Sequence, residues 1–263
     1  MRTVAQLTRD LTSLGVRPGR PVMVHASLRK LGPMDGGPQG VIAALDAATG
    51  PDGGWMMVLG AENDWDWVNE RPEAERAALL ADAVPFDPLT TPAEEDVGHL
   101  AEAMRRHPGT QVTDNPEGRF AARGALAGAL LSDAPWDDYF GPGSPLEHLC
   151  ALGGQVLRLG ADPDTVTLLH YAEYLAPVVH KRRVVRHRRV VGPNGPEVRT
   201  VRCLDDSEGI VTWPGEDYFA TILKAYLSEG RGVEGRVGGA QSELLDARDL
   251  VDFGAEWMAR HFV

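Results

Sequence analysis

Residues 21–27 read Pro21-Val22-Met23-Val24-His25-Ala26-Ser27, a continuous apolar run that ends in small and polar residues. Continuous rather than alternating hydrophobicity marks a strand buried on both faces, and the change of character at His25 marks the reactive loop that such a strand feeds. Before it, Val4, Leu7, Leu11 and Leu14 recur at helical spacing and stop at Gly15, ahead of a Pro18-Gly19 turn. After it, Gly36-Gly37-Pro38 opens a helix through Val41, Ile42, Ala44 and Leu45 that Gly50 closes, and Trp55 to Leu59 forms the next strand. The order helix, strand, helix, strand predicts the α/β class: a central mixed sheet flanked by helices, in a single domain over residues 1–263.

Further along, the pattern loosens between about residues 60 and 100 into acids, tryptophans and prolines, a segment long enough to expect substrate binding from it. Gly98 to Arg106 reads as a short helix, and Ala121 to Leu131 as a strand or a helix under close packing. The turn Gly141-Pro142-Gly143-Ser144-Pro145 precedes a helix at Leu146 to Leu149 and a buried strand at Gln155 to Gly160. Asp246 to Phe262, with Leu250, Phe253, Trp257 and Met258, predicts an amphipathic helix closing the core. Lys181 to Arg189 alternates bases with valines, which suits an exposed, solvated strand more than a nucleic-acid stripe, with coenzyme phosphates or an acidic neighbour as the alternative use.

Composition narrows the function. The 263 residues are 43% apolar, enough for a core, and carry 38 acids against 26 bases, a formal charge of −12 that repels phosphate backbones. Nucleic acid is therefore not an expected partner. No apolar run approaches the roughly 20 residues that span a bilayer, so a membrane is not expected either, and the expected location is the cytoplasm. Cys150 and Cys203 are too few and too far apart for a thiolate metal site, and no metal is expected.

The chemistry concentrates in Asp164-Thr165-Val166-Thr167-Leu168-Leu169-His170-Tyr171-Ala172-Glu173. Asp164 or Thr165 suits the N-cap of a helix that Pro177 ends, with His170 and Glu173 on one face and Asp164 at its entrance. An imidazole beside carboxylates works as a general base, because one ring nitrogen takes a proton while a carboxylate fixes the tautomer and stabilises the imidazolium. The acids at 62, 64, 66, 205, 206, 208, 216 and 217 match a cationic ligand or simply solvate loops, and Trp65 and Trp67 suit either a sugar face or the core.

The run Val22 to Gly32, the turn Gly143-Ser144-Pro145-Leu146 and the segment Asp164 to Glu173 resemble the aminoglycoside 3-N-acetyltransferase family in order and spacing. Pro85-Phe86-Asp87-Pro88, Asp217-Tyr218-Phe219 and Gly230-Arg231-Gly232 extend the resemblance over nearly the whole chain. It implies transfer of an acetyl group from acetyl-CoA to the 3-amino group of 2-deoxystreptamine, on an α/β fold distinct from the Gcn5-type acetyltransferase fold. No R/Q-x-x-G-x-G/A pyrophosphate loop is present. The resemblance implies His170 as base with Glu173 and Asp164 as supporting acids. It implies a coenzyme-binding loop at His25, Ala26, Ser27, Leu28, Arg29 and Lys30, with Ser144, Thr165 and Thr167 as further coenzyme contacts. Glu62, Asp64, Trp65, Asp87, Asp205 and Asp217 are the acceptor-binding candidates, and an aminoglycoside is the expected small-molecule partner. Where many members carry an Asp-Trp pair after the second strand, this chain has Ala61-Glu62, with Asp64-Trp65 beyond it. The same scaffold acting on another amine, or a non-catalytic binder of cationic sugars, are the rival readings.

Overall fold

Thr3 caps the first helix, α1 (Val4–Leu14), in a reciprocal box with Gln6, and Gly15 ends it in the left-handed region open to glycine. The computed structural model describes residues 1–61 and 65–262; Glu62 and Asp64, two of the acceptor-binding candidates, lie outside the described residues. After α1 come β1 (Pro21–Ala26), α2 (Leu28–Leu31), α3 (Pro38–Thr49), β2 (Gly54–Val58), α4 (Glu73–Leu79), α5 (His99–Arg105), β3 (Gln111–Val112) and β4 (Phe120–Gly124). Then follow α6 (Ala127–Leu131), α7 (Pro145–Ala151), β5 (Gln155–Leu159), α8 (Leu169–Leu175), β6 (Arg183–Gly192) and β7 (Gly195–Leu204). The chain ends with α9 (Tyr218–Ser228), β8 (Val233–Val237), β9 (Ala240–Asp246) and α10 (Ala247–His261).

Among the described residues, seven strands form one mixed sheet in the order β3-β4-β2-β1-β5-β9-β8, and β6 and β7 form a separate two-stranded hairpin. Its centre is parallel: β1 pairs with β2 on one side and β5 on the other, with His25 opposite Arg158 and Ala26 opposite Leu159. The α/β reading of the sequence holds, and β1 is buried on both faces as its unbroken apolar run requires. Val22, Val24, Trp55 and Met57 face α1, α3 and α5, with Leu7, Leu11, Val41, Leu45 and Met104. Met23, Met56 and Val156 face the opposite layer, which holds Leu146, Leu169, Ile222, Leu250 and Met258. The period-two alternation of side chains thus divides one strand between two cores.

Three elements differ from the sequence reading. The stretch Ala121–Leu131 contains both alternatives, β4 and then α6. The segment after β2 carries a 3₁₀ turn (Asp66–Glu70) and α4, which close a small cluster of Val68, Leu80 and Ala83 with Trp65, Leu79 and Val198. Lastly, α8 starts at Leu169 without a side-chain cap, so neither Asp164 nor Thr165 caps it. Val166 and Leu168 are fully buried. The chain around them takes tight turns, with Thr165 N–H donating to Asp162 O at 2.9 Å and His170 N–H to Thr167 O at 3.0 Å. Burial of these side chains wins over the local capping preference.

The parallel strands β2, β1 and β5 end on the same side, and the segments leaving them, with Gly60, Ser27 and Ala161, line one cavity. Open α/β sheets bind ligands in such a crevice, outside the carboxyl ends of their strands. Gly160, just beyond β5, has φ +64° and would set a Cβ 2.9 Å from Lys30 Cβ, so this glycine lets α2 lie close against the end of β5.

Candidate active site

His170 is the second residue of α8, and its ring is held between two phenylalanines. Phe140 stacks on it at 4.8 Å and 10°, and Phe219 meets it edge-on at 4.7 Å. Nδ1 lies 2.8 Å from Glu173 Oε2. Glu173 is 1% exposed, and its other oxygen accepts a hydrogen bond from the Tyr218 hydroxyl, so the carboxylate has donors on both oxygens. With Nδ1–H donating to Glu173, Nε2 is the ring nitrogen left to face the cleft. Burial opposes a charge on His170, but the Glu173 carboxylate, with Asp206 and Asp217 adding smaller pulls, outweighs it and raises the imidazole above its ordinary value.

Two chambers share Thr165, His170 and Asp206 as walls. The smaller, of about 450 Å³, is bordered by Asp164, Glu208, Glu216 and Asp217, with Trp213 and Phe219 as its aromatic surfaces. The larger, of about 820 Å³, is lined by His25, Ala26, Ser27, Leu28 and Arg29 on one side and by Glu95, Asp96 and Glu117 on another. His25 is buried and, among the described residues, has no partner at Nε2. Burial, with Arg158 close by, lowers its pKa to about 3, so it faces the chamber as a neutral imidazole able to hydrogen-bond but not to carry charge.

Several candidates from the sequence are therefore brought together: His170 and Glu173 touch, and Thr165, Thr167, Asp217 and the 25–29 loop border the same space. Asp164 borders the smaller chamber and accepts from the Thr165 hydroxyl at 3.3 Å, while the carboxylate on His170 Nδ1 is that of Glu173. Lys30 turns to Asp162, 2.6 Å away.

Others are placed elsewhere. Ser144 is fully buried, lines neither chamber, and caps α7 by accepting from Glu147 N–H. Asp87 accepts from Leu89 N–H at 2.8 Å and closes its own turn. Asp205 is buried and accepts from the amides of Ser207 and Glu208 at 3.1 and 3.0 Å. Trp65 packs on Trp67 at 6.0 Å and joins the small cluster of Val68. In each case a backbone N–H or an apolar neighbour has claimed the side chain, the ordinary fate of Ser and Asp at turns.

Glu117, Asp206, Arg186 and Arg188 form a group, of which the sequence marks Asp206 as a candidate for a cationic ligand and leaves Glu117 unmarked. Glu117 has a side chain 1% exposed, 2.5 Å from Arg188 Nε and 3.5 Å from Arg186 Nη1, while Arg186 Nη2 lies 2.7 Å from Asp206. Burial pushes Glu117 up to about 7, against the opposing pull of Arg188 and then Arg186. The basic stretch is thus not the solvated face that its alternation suggests: Arg186, His187 and Arg188 are buried. The acidic run Glu94-Glu95-Asp96 before α5 was a readable signal for the larger chamber's outer wall.

An α/β sheet with a histidine–carboxylate pair set in an acid-walled cleft at the ends of its parallel strands defines an enzyme of acid–base chemistry on a cationic reactant. The aminoglycoside 3-N-acetyltransferase family pattern matches residues 23–259. Aminoglycoside N(3)-acetyltransferase VII of Streptomyces paromomycinus is 39% identical over 267 residues, covering 97% of this chain and 91% of its own. The solved AAC-IIIb binary with CoASH superposes with a TM-score of 0.93 at 37% identity, covering 99% of this chain and 97% of its own. Sisomicin-bound AAC-VIa superposes at 0.92 and 36% identity, covering 100% and 99%. This chain belongs to the aminoglycoside 3-N-acetyltransferase family and is an acyltransferase.

Proposed function

We propose that this chain acetylates the 3-amino group of the 2-deoxystreptamine ring of aminoglycosides with acetyl-CoA as donor, His170 acting as general base, and so inactivates the antibiotic. The observation that carries this reading is the His170–Glu173 pair, 2.8 Å apart, set where two chambers of different character meet. The relatives solved with CoASH and with sisomicin support the two ligand classes. The coenzyme would be held by the 25–29 loop, with His25, Thr165 and Thr167 as polar partners; the unpartnered Nε2 of His25 and the room of the larger chamber fit it. When bound, it supplies a thioester carbonyl as acyl donor.

An aminoglycoside arrives as a polycation, and an ammonium cannot attack. The 3-ammonium first gives one proton to solvent, and Nε2 of His170 then takes a second from the neutral amine nitrogen as its N–C bond to the acetyl carbon forms. The C–S bond breaks, and the same proton is returned to the departing sulfur. Glu173 stabilises the imidazolium between these events, and Tyr218 keeps Glu173 in place. Asp206, Asp217 and the neighbouring acids of the smaller chamber offer carboxylates for the remaining ammonium groups. No protein nucleophile is required, which agrees with Cys150 and Cys203 being buried thiols that burial pushes up to about 12.

The test is thiol release from acetyl-CoA with gentamicin, tobramycin, neomycin, apramycin and simple polyamines. Release with 2-deoxystreptamine aminoglycosides, and position 3 acetylated in the product, is expected. Release with polyamines alone would assign the scaffold to another amine, and binding of gentamicin without release would make the protein a binder.

A further inference from the structure

The larger chamber is walled by a buried ionic cluster, of which the chemistry above uses only Asp206. Its centre is Arg186 of β6, which is turned inward with its side chain mostly shielded from solvent (10% exposed). That one group donates to the Tyr139 hydroxyl at 2.9 Å and to Ser207 Oγ at 2.8 Å, and pairs with Asp206 at 2.7 Å and Glu117 at 3.5 Å. Tyr139 in turn donates to the second oxygen of Asp206 at 2.6 Å. Arg186 therefore ties together the turn before β4, the loop before α7 and the segment after β7, three stretches far apart in sequence.

Among the described residues, two guanidiniums, Arg186 and Arg188, meet the carboxyl groups of Glu117, Asp206 and Asp66. Asp206 and Glu117 both border the chamber, and Asp206 also borders the smaller chamber and pulls electrostatically on His170. A buried ion cluster is poor value as stabilisation, because desolvation consumes most of the attraction and apolar side chains of similar volume hold a fold at least as well. What it supplies instead is geometry: the Asp206 carboxylate is held by Arg186 on one oxygen and by Tyr139 on the other.

We propose that Arg186 is a positioning residue for the acceptor: by clamping Asp206 from behind, with Tyr139 and Ser207 and with Glu117 behind it, it fixes the carboxylate that sets the sugar's amine toward His170. The inference rests on the aminoglycoside reading above. It makes the β6–β7 hairpin, which lies outside the main sheet, a part of the acceptor site.

Steady-state kinetics with gentamicin and acetyl-CoA, and calorimetric titration of gentamicin into the same proteins, test it. Arg186→Gln is expected to raise the gentamicin KM and Kd about 10- to 100-fold while the acetyl-CoA KM changes less than about twofold. Arg186→Lys, which keeps the charge but not the fork, recovers part of the loss, and Tyr139→Phe, which leaves the guanidinium in place, raises the gentamicin KM by about threefold. A loss of kcat with unchanged gentamicin affinity, or equal rises in both KM values, would overturn the inference while leaving the activity standing. If Arg186→Gln does not fold, unchanged gentamicin affinity in both Arg186→Lys and Tyr139→Phe overturns it. Wild-type protein that binds gentamicin without acetylating it defeats the activity reading and leaves the calorimetric comparison to decide this one. Wild-type protein that does not bind gentamicin defeats both.

Discussion

At His170 one imidazole meets one carboxylate between two phenylalanine rings, whereas on the adjoining wall the guanidiniums of Arg186 and Arg188 meet the carboxyl groups of Glu117, Asp206 and Asp66, with a tyrosine and a serine filling the remaining hydrogen-bond positions. The first arrangement suits a charge that comes and goes. An apolar sandwich disfavours the imidazolium, a single acid favours it, and one ring nitrogen stays open for a proton. The second suits fixed placement, because Arg186 holds Asp206 while Tyr139 and Ser207 take up its remaining hydrogen-bond positions. Damage to the first should therefore be read in the rate of transfer, and damage to the second in the affinity for the acceptor.

The strongest way to break that contrast is His170→Ala. The variant should lose about 10²–10⁴-fold in kcat while its calorimetric affinity for gentamicin stays within about twofold of wild type. An affinity loss as large as the rate loss would mean that the dyad and the wall act as one binding surface.

Glu173→Gln sharpens the contrast with a smaller expected effect, about 10- to 100-fold in kcat/KM, together with a displaced pH profile. His170 accepts a proton only when neutral, and its pKa is raised above the ordinary value. The wild-type rate should therefore rise with pH through an apparent pKa above about 6.5. Removing the Glu173 charge takes away the largest pull toward imidazolium, so in the variant the rise moves to lower pH even as the plateau falls. A pH–rate profile that keeps its midpoint would show that Glu173 does not tune the base.

The sequence revealed what was locally periodic or locally capped. The strands β1 and β5 and the helices α1, α3 and α10 followed from apolar spacing and terminal glycines, and the family pattern carried His170 and Glu173. What stayed hidden depends on distant pairing. Glu117 sits in the turn before β4, and nothing within several residues announces that Arg186 and Arg188 will reach it. The hairpin misled for a related reason. On β6 the arginines at 186 and 188 point inward while Val185 and Val191 are 40% and 54% exposed. This inverts the usual rule, because the strand covers an ion cluster instead of an apolar core. The start of α8 was misplaced since Val166 and Leu168 are claimed by the core, a tertiary demand that the capping preferences of Asp164 and Thr165 do not register.

Ser144 offers the finest comparison, because family resemblance and structure assign it different work. As a cap, its oxygen accepts from Glu147 N–H at the start of α7, with Pro145 following at the first helical position. Replacing such a cap by alanine typically costs about 1 kcal/mol of stability, while glycine costs only a few tenths, since its backbone leaves room for water and is itself tolerated at that position. A side chain that bonded the coenzyme would behave otherwise: alanine and glycine remove the same hydroxyl and should raise the acetyl-CoA KM alike. Thermal unfolding should therefore order the proteins as wild type, Ser144→Gly, Ser144→Ala, with the acetyl-CoA KM of both variants within about twofold of wild type. Equal elevation of that KM in the two variants, at unchanged Tm, would return Ser144 to the coenzyme site and make its buried position a property of the ligand-free form.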